Sequence, residues 1–335
     1  MSSSSPLSQP QSPSSLLTPL QTLKETILGL LNPWVFLSLS ASYLPRTILS
    51  LIQQRRYSVL LSPSRLREAW FTEFWTGFAG PNIRLNAGPR VVVPLLQGRT
   101  TGGDVTDAPV GPPISGTVIE VGAGAGMWVD VYRQVADIRA PEPGSGEVEE
   151  EKGEVAEGLT KRKTGGNSDG EKGVITRVYG VEPNPNQHPH LRRAIAAAGL
   201  EDVYQIVPVG IEDLDNESAW DGRVEKGSVD CVVSILCLCS IPEPEKNIRE
   251  LYSYLKKGGR WYVYEHVRCE YSWYMRLYQR VVNVFWPYFL GGCLLSRPTE
   301  TTIRKAGSWE KIDVGQPPIE QWYGVVPHML GVFTK

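Results

Sequence analysis

The sequence predicts a doubly wound α/β fold whose sheet is mostly parallel, and three features of the chain indicate it. A short apolar strand, Gly116–Glu120, runs directly into three glycines at alternate positions, Gly122, Gly124 and Gly126. Strand-like and helix-like segments then alternate towards the C-terminus, which is the pattern of βαβ units. One predicted strand, residues 228–236, is apolar, as expected of a strand covered on both faces. Together these features predict a Rossmann-like sheet.

The N-terminal segment differs in composition from the rest of the chain. Residues 1–15 are of low complexity, rich in Ser and Pro, and are predicted to be disordered. An uncharged apolar run follows at residues 27–44. Its length is near the lower limit of the roughly 17–25 residues that span a bilayer. The sequence therefore predicts a membrane anchor over residues 16–56.

The form of this anchor is left open by the sequence. A single tilted span, a hairpin or interfacial helix pair hinged at Pro33 or Pro45, and a buried helix of a soluble protein all fit the pattern. Positive charge follows the apolar run at Arg55 and Arg56, which favours a folded domain on the cytosolic side of the membrane.

The folded domain is predicted to occupy residues 57–335, beginning with an amphipathic helix over 57–80. Residues 86–115, rich in Gly, Pro and Thr, are predicted to be a long linker. Residues 139–173, which are charged and nearly free of large apolar side chains, are predicted to be a disordered insertion. The remaining predicted elements are helices at 128–138, 189–199, 243–255 and 298–307 and strands at 177–182, 203–209, 228–236, 260–266, 309–314 and 325–333.

Charge and cysteine content exclude some classes of function. The formal net charge of −2 gives no basic field, so no nucleic-acid partner is expected. The five cysteines are odd in number and none has CxxC spacing. This pattern predicts free thiols in a reducing compartment, with neither a disulfide framework nor a metal site.

The glycine-rich turn predicts a cofactor site. The dinucleotide fingerprint requires a further glycine where this chain has Met127, so the motif does not fit it. The acid two residues before Gly122, with glycines at 122, 124 and 126, is typical of S-adenosylmethionine-dependent methyltransferases. Glu120 suits a cofactor that carries an ammonium group and a cationic sulfonium. Glu182 ends the second strand, from which an acid reaches ribose hydroxyls.

Two further segments follow strands on the same predicted edge of the sheet. Glu212 and Asp213 come after the third strand, where an acid accepts a hydrogen bond from an adenine amino group. Leu236 and Cys237 end the fourth strand and are predicted to face the bound cofactor, because ligands of open α/β sheets bind at the carboxyl ends of strands.

The candidate catalytic residues are Glu265 and His266, at the end of the fifth strand. A histidine titrates near neutral pH, so His266 could take a proton from a thiol or hydroxyl group. A histidine hydrogen-bonded to the backbone is the alternative interpretation. His328, at the start of the last strand, is a weaker candidate.

The chain resembles the membrane-bound thiol methyltransferases of the methyltransferase-like 7 group, within the class I methyltransferases. The resemblance implies a seven-stranded sheet whose last strand is antiparallel, S-adenosyl-L-methionine as cofactor, and an anchor in the endoplasmic reticulum membrane or lipid-droplet surface. This chain departs from the group in its leader, its 86–115 and 139–173 segments, and Ala125, where the group has threonine. The matching segments are Glu120–Gly126, Glu182–Pro185, Leu236–Ser240, Gly258–Gly259 with Glu265–Val267, Gly292–Leu294 with Arg297, and Pro327–Gly331.

The sequence thus predicts a methyltransferase at a membrane surface. Its expected acceptor is small and lipophilic, most simply a thiol, and its expected lipid contact is made by the N-terminal segment. One alternative is a lipid methyltransferase that acts on a quinone, sterol or phospholipid. Another is a catalytically silent, membrane-anchored scaffold that keeps the fold.

Overall fold

The computed structural model describes residues 19–140, 172–321 and 323–335. The predicted leader, residues 1–15, and most of the predicted insertion, residues 139–173, lie outside the described residues. Within the described ranges the chain forms one large mixed sheet with helices on both faces, which confirms the predicted doubly wound α/β fold.

The described strands form a small hairpin and one large sheet of eight strands. The hairpin pairs β1 (Thr100–Thr101) with β2 (Asp104–Val105). The large sheet contains β3 (Gly116–Val121), β4 (Ala136–Ile138), β5 (Gly173–Val181), β6 (Tyr204–Val207), β7 (Val229–Ile235), β8 (Leu255–His266), β9 (Lys311–Gly315) and β10 (His328–Thr334).

The spatial order of the large sheet is β6-β5-β3-β7-β8-β10-β9, and β4 lies on the same edge of β5 as β6. Strand β10 is antiparallel to both of its neighbours, and the other pairings are parallel. The seven predicted strands are all present, and the last is antiparallel as the resemblance implies. Strand β4 is an eighth, formed by residues that the sequence predicted as the end of a helix.

The first five helices follow one another from the N-terminus with short connections, and the later helices lie between strands of the large sheet. In order the helices are α1 (Pro19–Gln53), α2 (Tyr57–Leu60), α3 (Pro63–Phe74), α4 (Gly80–Ala87), α5 (Val93–Leu96), α6 (Val129–Val135), α7 (His188–Ala198), α8 (Pro244–Tyr254), α9 (Trp273–Phe289) and α10 (Thr299–Arg304). Two π-helical turns, Trp75–Ala79 and Gly88–Val92, and a 3₁₀ turn, Ile211–Asp213, complete the described helical segments.

Alternation along the central strand distributes the core over both faces of the sheet. Val232 belongs to the cluster beneath α8 and α10, and its neighbour Val233 belongs to the cluster beneath α6 and α7. Successive side chains of a strand point to opposite faces, so an apolar run such as β7 supplies both clusters. Strand β7 is thereby fixed at the centre of the sheet, beside the glycine-rich turn.

Helix α1 is continuous across both of its prolines, Pro33 and Pro45, so the structure shows no hinge at either proline, which was one of the three forms that the sequence left open. Packing holds the helix together here, because its C-terminal half contacts α3 and α9. The Ser40 hydroxyl donates to the Phe289 carbonyl oxygen at 2.8 Å. The Trp34 indole donates to the Tyr278 hydroxyl, also at 2.8 Å. The half of α1 that follows Pro33 is therefore docked onto the folded domain.

The predicted linker over residues 86–115 is also wrong. Leu95, Leu96 and Ile114 are completely buried, and the segment contains helical turns and the β1–β2 hairpin. Pro89 and Pro94 occupy the first turns of helical segments, where a missing N–H costs nothing, rather than breaking them. The apolar run at 91–96 outweighs the loop-like composition around it.

Helix α9 has no counterpart among the predicted elements. The Ser272 hydroxyl caps it by accepting a hydrogen bond from the Met275 amide at 3.2 Å. The buried residues Met275, Gln279, Val282 and Trp286 recur at helical spacing and face the domain. The helix begins after a short irregular segment that follows β8. It packs against α1, which lies near the carboxyl ends of the strands.

Candidate functional site

A large cavity lies at the carboxyl ends of β3, β5, β7 and β8. Its volume is about 1080 Å³. The glycine-rich turn after β3 forms one side, and the loop after α9 forms the other. Helix α1 supplies part of the wall through Asn32, Pro33 and Phe36. The site is thus placed where ligands of open α/β sheets bind.

The glycine-rich turn has left-handed backbone at each of its three glycines, with φ values of +69° at Gly122, +56° at Gly124 and +83° at Gly126. A Cβ at Gly122 would lie 2.5 Å from the Cβ of Cys237, and one at Gly126 would lie 2.5 Å from the Cβ of Ala194. A Cβ at Gly124, in contrast, would have the Gly122 carbonyl oxygen as its nearest neighbour, 3.8 Å away. The turn therefore packs tightly at its two ends and leaves an open cradle in the middle.

Glu182 lies beside this cradle and lines the cavity. One carboxylate oxygen accepts a hydrogen bond from the Gly124 amide at 2.8 Å, and the other accepts from the Asn184 amide at 2.8 Å. Burial raises the pKa of Glu182 above its ordinary value, and the two backbone donors oppose the rise. Glu182 thus joins the glycine turn to the end of β5.

Glu120 lies elsewhere, in the core beneath the turn. It is 2% exposed, and it is not among the residues that line the cavity. The Tyr204 hydroxyl donates to one of its oxygens at 2.7 Å, and Tyr132 lies alongside. Burial raises the pKa of Glu120 to about 7, against the opposing effect of the tyrosines. The structure thus brings together the glycines and Glu182 but sets Glu120 one layer deeper.

The segments after β6 and β7 complete the same end of the cavity. Glu212 lines it, whereas Asp213 accepts a hydrogen bond from the Asn216 side chain at 3.0 Å and is not among the lining residues. Leu236 and Cys237 both line it, and Leu236 has an unusual φ of +56°.

Glu265 explains how the turn after β7 keeps its shape. Its carboxylate accepts hydrogen bonds from the backbone amides of Cys237 and Leu238 at 3.1–3.2 Å. It is completely buried, which raises its pKa to about 7, and it is not among the residues that line the cavity. In this structure Glu265 fixes the turn.

The far end of the cavity is largely apolar. His266 and His328 both line it, with ring centroids 4.8 Å apart. The Glu320 carboxylate lies 2.5 Å from the Nδ1 atom of His328, and Tyr264 stacks on the His328 ring at 4.7 Å. Burial lowers the pKa of His328, although Glu320 opposes the change. The apolar lining of this end comes from Phe36, Trp286, Leu290 and Val326.

Several polar atoms at the cavity wall are buried and have no hydrogen-bond partner within the described chain. They are the indole nitrogen of Trp128 and the side-chain oxygens of Gln187 and Asn247. Buried polar atoms in native proteins are almost always satisfied. Together with the open cradle at Gly124 and the Glu182 carboxylate, they fit a cofactor rich in hydroxyl, amino and ring-nitrogen groups.

The sequence analysis gave two contributors no role in this site. They are the loop after α9, which supplies Gly291, Gly292 and Cys293, and α1, which supplies Asn32, Pro33 and Phe36. The signal for α9 was present as a buried stripe at helical spacing. No spacing rule links Cys293 to residues more than 25 positions earlier in the chain.

Comparison with known proteins relates this chain to methyltransferases. A family model described as a methyltransferase domain matches residues 105–306. The thiol S-methyltransferase TMT1A of Homo sapiens is 32% identical over 160 residues, which cover 48% of this chain and 62% of that protein. The thiol S-methyltransferase TMT1B of Rattus norvegicus is 31% identical over 159 residues, with the same coverages of 48% and 62%. The chain thus spans about three fifths of the length of these relatives.

Among solved structures, an O-methyltransferase family protein from Burkholderia thailandensis matches with a TM-score of 0.45 at 15% sequence identity. The match covers 87% of this chain and 71% of that chain.

Proposed function

The chain belongs to the methyltransferase-domain family, class I enzymes whose methyl donor is S-adenosyl-L-methionine, and we propose that it transfers a methyl group to a small lipophilic thiol. The observation that carries this proposal is that one cavity joins the open cradle at Gly124, with Glu182 beside it, to an apolar end lined by Phe36 and Trp286. A polar cofactor and a greasy acceptor would meet inside it.

The residues of the chain divide the work between the two ends of the cavity. Glu182 would accept hydrogen bonds from the ribose hydroxyls, and Glu212 would accept one from the adenine amino group. The bound cofactor supplies the sulfonium methyl group. The apolar end would hold the acceptor with its sulfur in line with that methyl group, and proximity and orientation of this kind contribute roughly 7–11 kcal/mol in well-oriented systems.

A thiol acceptor requires little further catalysis, because a thiolate is already a strong nucleophile. The curated relatives named as thiol S-methyltransferases support this choice of acceptor. His266, the predicted general base, lines the cavity, which supports its proposed role as the group that receives the proton.

Transfer assays on the purified full chain test the proposal. Methyl-labelled S-adenosyl-L-methionine is offered with small alkyl thiols in one reaction and with extracted membrane lipids in another. Label on the thiols supports the proposal, label only on lipid supports the lipid-methylating alternative, and cofactor binding without transfer to either supports the silent scaffold.

Two glutamate variants test the proposed position of the cofactor, one as the probe and the other as its control. Glu182→Gln should weaken cofactor binding at least about tenfold, because an amide places a donor where the Gly124 and Asn184 amides both need an acceptor. Glu217→Gln is the matched control, since Glu217 is exposed and only pairs with Arg223. Equal affinity in all three proteins, measured by calorimetry, would contradict the proposed cofactor position.

We also propose that the protein works at a membrane surface, which α1 and α9 contact together. Helix α1 is long and apolar enough to cross a membrane, and only 17% of its apolar window is buried. The apolar side chains that these two helices expose include Leu20, Leu23, Ile27, Leu28, Leu31, Val35, Trp273, Leu277, Val281, Val284 and Phe285. An extended exposed apolar face of this kind is typical of a membrane or protein contact.

The docking of α1 favours a helix that lies against the bilayer over a helix that spans it. The Tyr278 hydroxyl donates to the Leu30 carbonyl oxygen at 2.5 Å, so the helix is tied to α9 from that point onwards. From Leu30 onwards α1 lies against the folded domain, so this part of the helix is not free to cross a hydrocarbon core of roughly 30 Å. The resemblance adds the endoplasmic reticulum membrane or lipid-droplet surface as the proposed location, and the positive charge at Arg55 and Arg56 favours a folded domain on the cytosolic side.

Liposome flotation tests this surface. Leu28→Asp and Val284→Asp each place a charge on the proposed contact, one on each helix, and should reduce co-flotation with phospholipid vesicles. Leu85→Asp is the control, because Leu85 is equally exposed but lies on α4, outside the surface. Loss of flotation in the α1 variant alone would leave α9 without a role in membrane contact.

A further inference from the structure

Three soft ligands from distant parts of the chain meet at the apolar end of the cavity. They are Cys239 in the turn after β7, His266 at the end of β8, and Cys293 in the loop after α9. Their candidate ligand atoms all lie within 4.8 Å of one another. All three residues line the cavity, so the cluster is reached from the space that the acceptor would occupy.

We propose that Cys239, His266 and Cys293 form a binding site for Zn²⁺ whose fourth coordination position opens into the cavity. Thiolate and imidazole are the ligands that zinc prefers, and three protein ligands with one open position are characteristic of catalytic rather than structural zinc. The cysteine spacing predicted no metal site, because these residues become neighbours only in the folded chain.

The distances within the cluster suit tetrahedral zinc. Bond lengths of about 2.3 Å to sulfur and about 2.0 Å to nitrogen place a sulfur and a nitrogen ligand about 3.5 Å apart, and two sulfurs about 3.8 Å apart. The Cys293 sulfur lies 3.5 Å from the Nδ1 atom of His266. The remaining separations, none above 4.8 Å, need only small side-chain rotations to reach these values.

Backbone hydrogen bonds tie the three ligand-bearing segments together before any metal binds. The Leu294 amide donates to the Cys239 carbonyl oxygen at 2.9 Å, and the Arg268 amide donates to the Arg297 carbonyl oxygen at 3.0 Å. The Arg297 guanidinium in turn donates to the Leu238 carbonyl oxygen at 2.9 Å and to the Ile241 carbonyl oxygen at 2.6 Å. Ligands held by a fixed scaffold lose little freedom when a metal binds.

The charge balance also fits a buried cation. Cys239 is 1% exposed and Cys293 is 6% exposed, so an isolated charge there would be costly. Two thiolates neutralise a divalent cation, which leaves the occupied site without net charge.

The open position gives the site a role that rests on the proposed function. An acceptor thiol bound there would release its proton to water and present a thiolate to the methyl group. The new sulfur–methyl bond forms as the methyl–sulfonium bond breaks, and the bonding pair leaves with the cofactor's sulfur. In this arrangement His266 holds the metal instead of taking the proton.

Metal content and cobalt spectroscopy of the full chain test the proposal. Protein purified in reducing buffer without chelator should contain about one zinc per chain. After removal of the zinc, titration with Co²⁺ should give thiolate-to-cobalt charge-transfer absorption in the near ultraviolet and the d–d bands of tetrahedral cobalt.

Two cysteine variants make the test specific. Cys293→Ser should weaken zinc binding more than about tenfold, since even loss of an outer-sphere partner costs 10–100-fold in affinity. Cys231→Ser is the matched control, because Cys231 is also buried, and a serine hydroxyl can keep its hydrogen bond to the Ser115 carbonyl oxygen. It should bind zinc like the unaltered protein.

The outcomes separate this inference from the proposed function. Absence of zinc and of the cobalt bands, equal zinc affinity in the Cys293→Ser variant, or a disulfide between Cys239 and Cys293 would each overturn the site. Cofactor affinity, measured on the same samples by calorimetry, reports on the proposed function independently. Thiol methylation by metal-free protein at an unchanged rate would keep the proposed function and overturn the role of the metal.

Discussion

Replacing Glu120 by glutamine should remove a pH dependence of folding that the unaltered chain carries. Glu120 is 2% exposed and receives one hydrogen bond, from the Tyr204 hydroxyl, while its other oxygen has no partner within the described chain. Burial raises its pKa from an ordinary 4.5 to about 7. Glutamine has nearly the same shape, keeps an acceptor for Tyr204 and carries no charge.

The size and sign of the effect follow from these two pKa values. Between pH 4.5 and 7 the folded state keeps a proton that the unfolded state has released, so the free energy of unfolding falls as the pH rises through this window. The loss is complete above the folded-state pKa and amounts to about 3 kcal/mol. The Glu120→Gln variant should therefore match the unaltered protein near pH 4.5 and exceed it by up to about 3 kcal/mol above pH 7.

Urea unfolding followed by tryptophan fluorescence at a series of pH values measures the difference. Subtracting the curve of the variant removes the contributions of Glu182 and Glu265, whose pKa values are also raised by burial. A difference that stays constant with pH would refute the reasoning. Cofactor affinity of the same variant tests the sequence prediction for Glu120, since a weaker affinity supports a role in cofactor binding.

Three further substitutions probe the scaffold. Gly126→Ala should lower the free energy of unfolding by more than Gly124→Ala. A Cβ at position 126 would lie 2.5 Å from the Cβ of Ala194 on α7, whereas at position 124 the substitution costs only the left-handed backbone strain, about 1–2 kcal/mol. Equal losses in urea unfolding would contradict this. Tyr278→Phe should expose α1 to limited proteolysis, since it removes the hydrogen bonds to α1, and an unchanged digestion pattern would show that packing alone holds the helix. Arg297→Ala should cost roughly 1–3 kcal/mol in the same unfolding assay, because two carbonyls of the turn after β7 lose their donor; an unaltered midpoint would count against that role.

The sheet could be predicted from the sequence because its signals are local. Strands such as β3 and β7 are short apolar runs bounded by turn residues, and α7 ends where Gly199 takes a left-handed φ of +62°. The segment at 86–115 was misread for the opposite reason. Its Gly and Pro residues have the composition of a loop, but tertiary burial of residues such as Leu95 and Ile114 decides its structure.

The residues of the candidate site also differ in how far the sequence alone can predict them. The glycine turn and Glu182 are readable because each follows its strand directly. The positions of Glu120 and Glu265 relative to the cavity depend on which way a side chain points at the end of a strand, which a pattern of residue types does not specify. The Cys239–His266–Cys293 cluster needs three segments to be folded together before it exists.

The wall that α1 gives to the cavity has a practical consequence for anyone who handles this protein. Asn32, Pro33 and Phe36 belong to the helix that would ordinarily be deleted to obtain a soluble fragment. A fragment that begins after Gln53 would retain the sheet and the glycine turn, but its cavity would lack the wall that α1 supplies. Inactivity of such a fragment would therefore say nothing about the enzyme, and detergent or lipid nanodiscs around the entire chain are the suitable starting material.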